Sequence, residues 1–311
     1  MGQTPSRPRR TFYSLLGVPP RANSPTLEGN SPASGSPSEP GSPVSRSLKF
    51  DPHNHFVTSP VFTNPFILAG LRVVIALYTL ITLILSLEDN VTRRPGRISF
   101  AYFTFLTLAG ICAYMFASAV QTGLYALRSR REGATAGYPL QQSWPRIFQA
   151  LHVLLYSSIT TFPILVTIFY WSVLDSENSF VGSRRAWNAI SVHILNAVFA
   201  VGEIFLTNSP PVPWISLSIT TVLLGAYCGL AYVAKAAADF YPYEFLDPTD
   251  NKYLPAYVIG LAAGNAIVFV LVHFLVVLRQ RLAVKYKRVA VATDEDAKQV
   301  KRDSGGSGSS A

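Results

Sequence analysis

Apolar stretches alternate with short polar connections along the middle of the chain. Each is close to the roughly 17 to 25 apolar residues that a helix needs to cross a bilayer. They run from Phe66 to Leu87, Phe100 to Leu127, Ile147 to Leu174, Trp187 to Leu206, Trp214 to Lys235 and Tyr257 to Leu278. A backbone in lipid has to satisfy its own hydrogen bonds, which a helix does within one segment. The pattern therefore predicts an all-α, polytopic membrane bundle of about six transmembrane helices, called spans 1 to 6 below.

Polar segments flank this apolar region on both sides. Residues 1–60 are rich in Ser, Pro and Gly and have no sustained apolar period, which predicts a disordered N-terminal tail. Residues 61–288 then form the transmembrane domain. Residues 289–311 are polar and end in Gly and Ser, so we predict a disordered C-terminal tail there as well.

Charge is scarce and unevenly placed. Only 14% of the residues are charged, against roughly 25% in soluble domains. The net charge of +9 comes from Lys and Arg in the tails and short loops, not from one basic face, which argues against nucleic acid as a partner. The expected partner is the membrane, with a lipid substrate within the bilayer; protein partners stay open.

The basic residues also predict the orientation. One group lies between spans 2 and 3, at Arg128, Arg130, Arg131 and Arg146, and another follows span 6, at Arg279, Arg281, Lys285, Lys287 and Arg288. Positively charged loops stay in the cytosol. We therefore expect both termini to be cytosolic; the pattern does not decide between the endoplasmic reticulum and the plasma membrane.

Several common kinds of site are absent from the sequence. The two cysteines, Cys112 and Cys228, both fall inside apolar spans, so neither a disulfide framework nor a cysteine zinc site is expected. There is no Gly-rich phosphate loop, Gly-x-Ser-x-Gly elbow or metal-spaced His cluster. We expect neither a metal nor a cofactor.

Polar residues recur at helical spacing within some spans. Thr104, Thr107 and Tyr114 share one face of span 2, and His193 and Asn196 lie together on span 4. Most Thr, Ser and Asn side chains in such stripes serve only to hold helices together. His193 is different, because an ionisable group inside a membrane indicates a functional site, although a structural, hydrogen-bonded histidine is an equally open alternative.

Two of these residues are expected to lie at a similar depth in the membrane. Thr104 lies about one turn, and His193 about two turns, from the non-cytosolic end, which is roughly 6 to 11 Å at 1.5 Å per residue. His152 and His273 fall near the opposite end. A Thr hydroxyl becomes a nucleophile when a neutral imidazole takes its proton. The sequence thus suggests Thr104 as nucleophile and His193 as base, acting on an ester with long acyl chains.

Other residues complete this hypothetical site. Asn196 is a candidate to orient substrate or to donate to an oxyanion, and Thr107 is the alternative nucleophile one turn further along. These two residues, with Tyr114 and Tyr243, form the predicted substrate-binding set. Tyr243 belongs to an aromatic and acidic segment, residues 239–248, that emerges on the same face and would cap the site. The other interpretation of that segment is a plain interfacial aromatic belt.

At these positions the chain resembles the androgen-induced and androgen-dependent membrane protein family. The resemblance rests on the Phe-Thr-Phe-Leu run at 103–106, Phe162-Pro163 followed by the Phe-Tyr-Trp run at 169–171, His193 with Glu203 ten residues on, and the Tyr-Glu-Phe-Leu-Asp run at 243–247. Members of that family are threonine-dependent hydrolases of fatty acid esters of hydroxy fatty acids. The resemblance implies that Thr104 is the nucleophile and His193 the catalytic histidine. The chain departs from the family in its long Ser/Pro tail and in Pro242, which stands two residues early in its motif.

Two non-enzymatic readings compete with a threonine-type lipid ester hydrolase. In one, the same polar stripes line a passage or a binding site for a lipid or small amphiphile. Against transport stand the lack of an internal repeat and of matched spans broken by Gly or Pro. In the other, the protein is a scaffold that holds partners through its tails.

Overall fold

The architecture is an all-α bundle. The structure, a computed structural model, describes residues 11–19, 50–93, 96–133, 136–174, 180, 182–249 and 252–305, with side chains as far as Lys285. Within these residues there is no β-strand, and six helices are long and apolar enough to cross a membrane. This confirms the predicted fold class and is compatible with a multi-pass membrane protein. The spans are Pro65–Thr92, Phe103–Glu132, Arg146–Leu174, Ser183–Leu206, Ile215–Ala238 and Leu254–Lys285.

Short helices and turns complete the described elements. Two further α-helices are Phe12–Leu15 and Pro139–Gln142, and three 3-10 turns are His55–Val57, Ser99–Ala101 and Glu244–Leu246. The helix of span 6 continues as one element, Leu254–Gly305. Its backbone therefore enters the segment from 289 onward for which the sequence predicted disorder, while residues 306–311 lie outside the described residues.

Spans 2 and 3 form the centre of the bundle. In each of them 56% of the most apolar stretch is buried, against 28% in spans 5 and 6. Small side chains such as Ala76 and Ala200, both fully buried, let neighbouring helices approach closely. Spans 5 and 6 therefore lie at the periphery and direct more of their surface outward.

Two spans depart from α-helical geometry at the same end of the bundle. Span 3 is α-helical over Arg146–Phe169 and finishes as a π-helix over Tyr170–Leu174. Span 4 runs from the α-helix Ser183–Ala189 through a π-helix, Ile190–Ile194, into the α-helix Leu195–Leu206. A π-helical turn changes the direction in which following side chains point, and such turns are frequent at functional sites. We call this the chamber end; it carries the loops 96–102 and 239–249.

The opposite end, called the closed end, is covered by parts of the N-terminal region. Leu16 and Val18 are buried there, as are Phe50, Phe56 and Val57. The predicted disordered tail thus contains two packed stretches, 11–19 and 50–60, while the rest of residues 1–49 lies outside the described part of the chain. Short apolar clusters among Ser and Pro carry no periodic signal, so the sequence pattern could not reveal this packing.

Asp51 fastens the second of these stretches to the bundle. Its carboxylate accepts hydrogen bonds from the Tyr138 hydroxyl at 2.7 Å and from the His55 backbone N–H at 2.8 Å. Burial by itself would raise the pKa of Asp51, but the hydrogen bonds from His55, Tyr138 and backbone amides outweigh it, and the pKa is lowered. The carboxylate is therefore held in its charged form.

Candidate functional site

A large cavity opens at the chamber end. Its volume is about 1180 Å³, and Thr104, Tyr170, His193 and Tyr243 all line it. We call this cavity the chamber. Apolar side chains line it as well, and spans 1, 4 and 5 and the loops add polar ones, among them Ser86, Asn90, Arg97, Asn188, Lys235, Asp239 and Glu244. Spans 2 and 4 thus present both residues of the predicted catalytic pair to one space.

Thr104 stands in the first turn of the span 2 helix, which begins at Phe103. Its Oγ1 lies 3.2 Å from the Tyr243 hydroxyl, at hydrogen-bonding distance, and either group can be the donor. Burial raises the pKa of Tyr243, so the phenol stays neutral and keeps its proton. A neutral phenol can donate a hydrogen bond as well as accept one.

His193 is placed by the π-helix of span 4. Its ring stacks on that of Tyr170, with 3.4 Å between ring centroids and 7° between planes. Its backbone carbonyl accepts a hydrogen bond from the Thr167 hydroxyl. The Nδ1 atom is buried and has no hydrogen-bond partner among the described residues. Most buried polar atoms in proteins are paired; His152 Nε2, outside the chamber lining, is likewise buried and without a partner among the described residues.

Thr104 and His193 share the chamber but are not hydrogen-bonded to one another in the described structure. Tyr243, from the loop after span 5, holds the Thr104 hydroxyl instead. A hydrogen bond between Thr104 and His193 would therefore require the Thr104 hydroxyl to exchange its partner. Catalytic hydrogen bonds are often long or misaligned without substrate and tighten when it binds.

Thr107 and Asn196 lie behind this site and do not line the chamber. The Thr107 hydroxyl donates to the Thr104 carbonyl at 2.8 Å and accepts from Asn196 Nδ2 at 3.1 Å. Asn196 is fully buried, and its Oδ1 has no partner among the described residues. The two side chains tie the first turn of span 2 to span 4, so they position Thr104 through its backbone. The sequence placed both in the substrate-binding set, a role that this location does not serve directly.

Tyr114, the other predicted substrate-binding residue of span 2, lies away from the chamber. Its hydroxyl donates to Glu203 Oε1 at 2.8 Å, and its ring stacks on His152. Glu203 in turn forms an ion pair with Arg72 of span 1, and both side chains are almost completely buried. Tyr114 thus belongs to a charged cluster towards the closed end.

Arg72 organises that cluster. Its guanidinium also donates to the Phe56 carbonyl at 3.0 Å and to the Thr122 hydroxyl. These bonds connect the N-terminal segment with spans 1, 2 and 4. Arg72 was not among the predicted site residues, although a lone arginine inside an apolar span needs a buried partner and is therefore visible in the sequence. Tyr170 was also not predicted as a site residue, and no sequence pattern predicts the π-helix that orients its side chain.

The site contains no evident metal centre, since no group of three or more His, Cys, Asp or Glu side chains within the described residues could hold an ion. No protein-family model, curated protein or solved structure matches this chain, so the case for each residue's role rests on its contacts in the fold.

Proposed function

We propose that this protein is a membrane-embedded hydrolase of long-chain fatty acid esters, with Thr104 as nucleophile and His193 as general base. The observation that carries the proposal is that these two residues, from spans 2 and 4, line one cavity of about 1180 Å³. The unpaired Nδ1 of His193 supports it, because a base needs a free nitrogen lone pair. The resemblance to the threonine hydrolases points to the same two residues.

The reaction proceeds in two steps. Thr104 Oγ1 attacks the ester carbonyl carbon while His193 takes the hydroxyl proton, and the imidazolium returns that proton to the departing alkoxide. This leaves the acyl group on Thr104 and releases an alcohol. Water then attacks the acyl-threonine with His193 as base, which releases the fatty acid and restores the hydroxyl. The balance is one ester and one water for one acid and one alcohol.

Tyr243 has a defined part in this scheme. The substrate carbonyl replaces the Thr104 hydroxyl as the partner of the Tyr243 phenol, which frees Thr104 to turn towards His193. The phenol then donates to the oxyanion that forms in the tetrahedral intermediate. The raised pKa of Tyr243 supports this role, because the donor stays protonated at neutral pH.

Paired single substitutions test the proposal. Thr104→Ala and His193→Ala should each abolish hydrolysis of a long-chain ester by purified protein, and the double variant should be no worse than either, as expected for groups that act as a unit. His273→Ala is the matched control: His273 contacts the Val212 carbonyl at 2.9 Å at the closed end and should retain activity when changed. A lipid-like fluorophosphonate should label the wild type at Thr104. Near wild-type rates in folded Thr104→Ala and His193→Ala protein would refute the proposal.

Lipid binding without catalysis is the second candidate. It is favoured by one observation, the hydrogen bond that directs the Thr104 hydroxyl to Tyr243 and not to His193. It predicts that the protein retains a radiolabelled fatty acid ester intact, that fluorophosphonate does not label Thr104, and that Thr104→Ala leaves retention unchanged.

We further propose that both termini face the cytosol and that the chamber opens on the other side of the membrane. The arginine groups at 128–131 and 279–288 support this orientation through the positive-inside rule. Protease added to sealed microsomes should then remove epitopes from both ends of the chain. Protection of either epitope contradicts the orientation.

A further inference from the structure

A second, much narrower cavity meets the chamber at Thr104. It has a volume of about 40 Å³, and Thr104, Tyr170 and Tyr243 line it together with the chamber. We call it the slot. It lies among spans 2, 3, 5 and 6, between Leu165, Leu224, Cys228 and Leu261. Thr104 thus stands at the junction of two spaces.

The two spaces differ in chemistry as well as in size. The chamber includes charged side chains, such as Arg97, Lys235 and Asp239, at its loop end. The slot is bounded almost entirely by aliphatic and aromatic side chains. An apolar chain gains free energy by entering such a space, whereas a polar group loses its hydration there. For a substrate whose reacting carbon lies at Thr104, the slot therefore offers an apolar space on one side and the chamber a more polar space on the other.

The order of the reaction decides which part of the ester goes where. After the first step the alcohol has to leave and water has to reach the acyl-threonine, whereas the acyl group has to stay. The chamber is wide and partly polar, so it suits departing alcohol and entering water. At about 40 Å³ the slot is smaller than a long acyl chain, so the side chains that line it have to move apart as the chain enters; the slot then keeps the chain clear of that route.

We propose that the slot between spans 3, 5 and 6 receives the acyl chain of the ester and that the chamber receives the alcohol part. This inference rests on the proposed function. The substrate class is then an ester of an unbranched acyl chain with a bulky, polar alcohol. Cys228 and Leu165 influence which acyl chains are accepted, because both line the slot.

Gly264 of span 6 supports this role for Leu165. A Cβ atom added at Gly264 would lie 3.0 Å from Leu165 Cδ1. The absence of a side chain at Gly264 therefore leaves room for Leu165 to pack against span 6. A larger residue at 264 requires the end of the Leu165 side chain to shift by a few tenths of an ångström, and we expect the shift to reduce the slot that Leu165 lines. Gly264→Ala is therefore a remote way of narrowing the slot without touching Thr104 or His193.

The first test measures acyl-chain preference with the acetate, octanoate and palmitate esters of one phenol. Cys228→Phe fills the slot and should lower kcat/KM for palmitate relative to acetate by about tenfold or more. Gly264→Ala should shift the preference in the same direction by less. Cys228→Ala, which widens the slot and introduces no overpacking, should favour branched acyl chains. The matched control is Val222→Phe on the same span, a position 69% exposed on the outer surface, which should leave the ratio unchanged.

The second test does not depend on catalysis. A fatty acid with a terminal diazirine is photolysed with Thr104→Ala protein in detergent, and the modified peptides are sequenced. We expect labelling on spans 3, 5 and 6 around the slot, and its loss in Thr104→Ala with Cys228→Phe. Labelling of the slot without any ester hydrolysis by the wild type would overturn the proposed function and leave the slot as a chain-binding site. Hydrolysis with an unchanged chain preference, and labelling confined to chamber residues, would overturn the slot.

Discussion

The buried ion pair at the closed end and the site residues at the chamber end are held in different ways. At the closed end, the charges of Arg72 and Glu203 are buried and paired with one another, and the remaining hydrogen-bonding atoms of Arg72 contact carbonyl and hydroxyl oxygens. At the chamber end, a buried nitrogen of His193 has no partner among the described residues, and Thr104 is held by one hydroxyl contact from a loop. The same helices pass through both ends, but the chamber end has two π-helical turns and the closed end is covered by the N-terminal segment.

The physical consequence is that the two ends contribute differently to stability and to the proposed chemistry. A buried ion pair whose atoms are all satisfied is very sensitive to the loss of one partner, because the other is left charged and unpaired. Groups that have to change partners in a reaction cannot be fixed in this way. We infer that the closed end supplies most of the stability and that the chamber end keeps the freedom that the proposed chemistry needs.

Arg279 shows the same principle at the closed end. Its guanidinium donates to the Ile204 carbonyl at 2.7 Å and to the Ser209 carbonyl at 2.6 Å. These carbonyls belong to the last turn of span 4 and to the residues that follow it, where a helix leaves acceptors without partners. Arg279, which the sequence analysis used only to predict the orientation in the membrane, therefore also caps the end of the span 4 helix.

The largest expected effect is at the buried ion pair. Arg72→Met should leave Glu203 charged and unpaired and destabilise the protein by about 3 to 5 kcal/mol, measured by thermal or denaturant unfolding in detergent. Arg72→Met with Glu203→Leu should recover much of that loss, because both charges are then gone. Thr104→Ala is the comparison at the chamber end, where loss of one hydroxyl contact removes about 0.5 to 1.5 kcal/mol. Equal losses of unfolding free energy at the two positions would contradict the inference that the closed end supplies most of the stability.

A smaller effect is expected where the N-terminal segment is fastened. Asp51→Asn weakens hydrogen bonds to a buried carboxylate, which are worth about 1.5 to 3 kcal/mol when the acceptor is charged. Amide hydrogen exchange should therefore speed up in residues 50–60 while the spans stay protected. Asp247→Asn, in the loop at the chamber end where the carboxylate bonds mainly to Thr249, is the matched control and should change exchange less.

The same carboxylate predicts a pH dependence. The pKa of Asp51 is lowered in the folded protein from an ordinary value of 3.8. Its stabilising contribution is therefore complete above that value and disappears as the pH falls through the lower, folded pKa. Faster exchange in residues 50–60 should appear only below about pH 3.8, and the Asp51→Asn protein should lack this transition.

The smallest effect is expected at an exposed ion pair of the chamber end. Arg184 lies 2.6 Å from Glu88, and the two side chains are 49% and 53% exposed. Such pairs contribute about 1 kcal/mol or less, because water screens them. Arg184→Ala should thus lower the melting temperature only slightly, and less at high salt. A loss comparable to that of Arg72→Met would mean that the chamber end carries stability that its buried groups do not explain.

The candidate site was only partly predictable. Thr104 and His193 could be assigned to one level because helix rise is regular and both residues lie near the same end of their spans. Tyr243 could be placed on that face because a loop follows span 5 there. The hydrogen bond from Thr104 to Tyr243, and the stacking of His193 on Tyr170, depend on how a loop folds back and on two π-helical turns. Thr107, Tyr114 and Asn196 share a stripe with the site residues, yet their rotation and depth direct them to other helices.

The sequence alone determined the all-α class, the number of spans and their approximate limits, because lipid forces each apolar segment to satisfy its own backbone hydrogen bonds. The tertiary structure decided which polar side chains meet. It paired Arg72 with Glu203 across 131 positions, folded residues 50–57 over the closed end, and set Thr104 between a wide polar cavity and a narrow apolar one. These outcomes depend on helix rotation and on the packing of small residues, which hydrophobic periodicity does not encode.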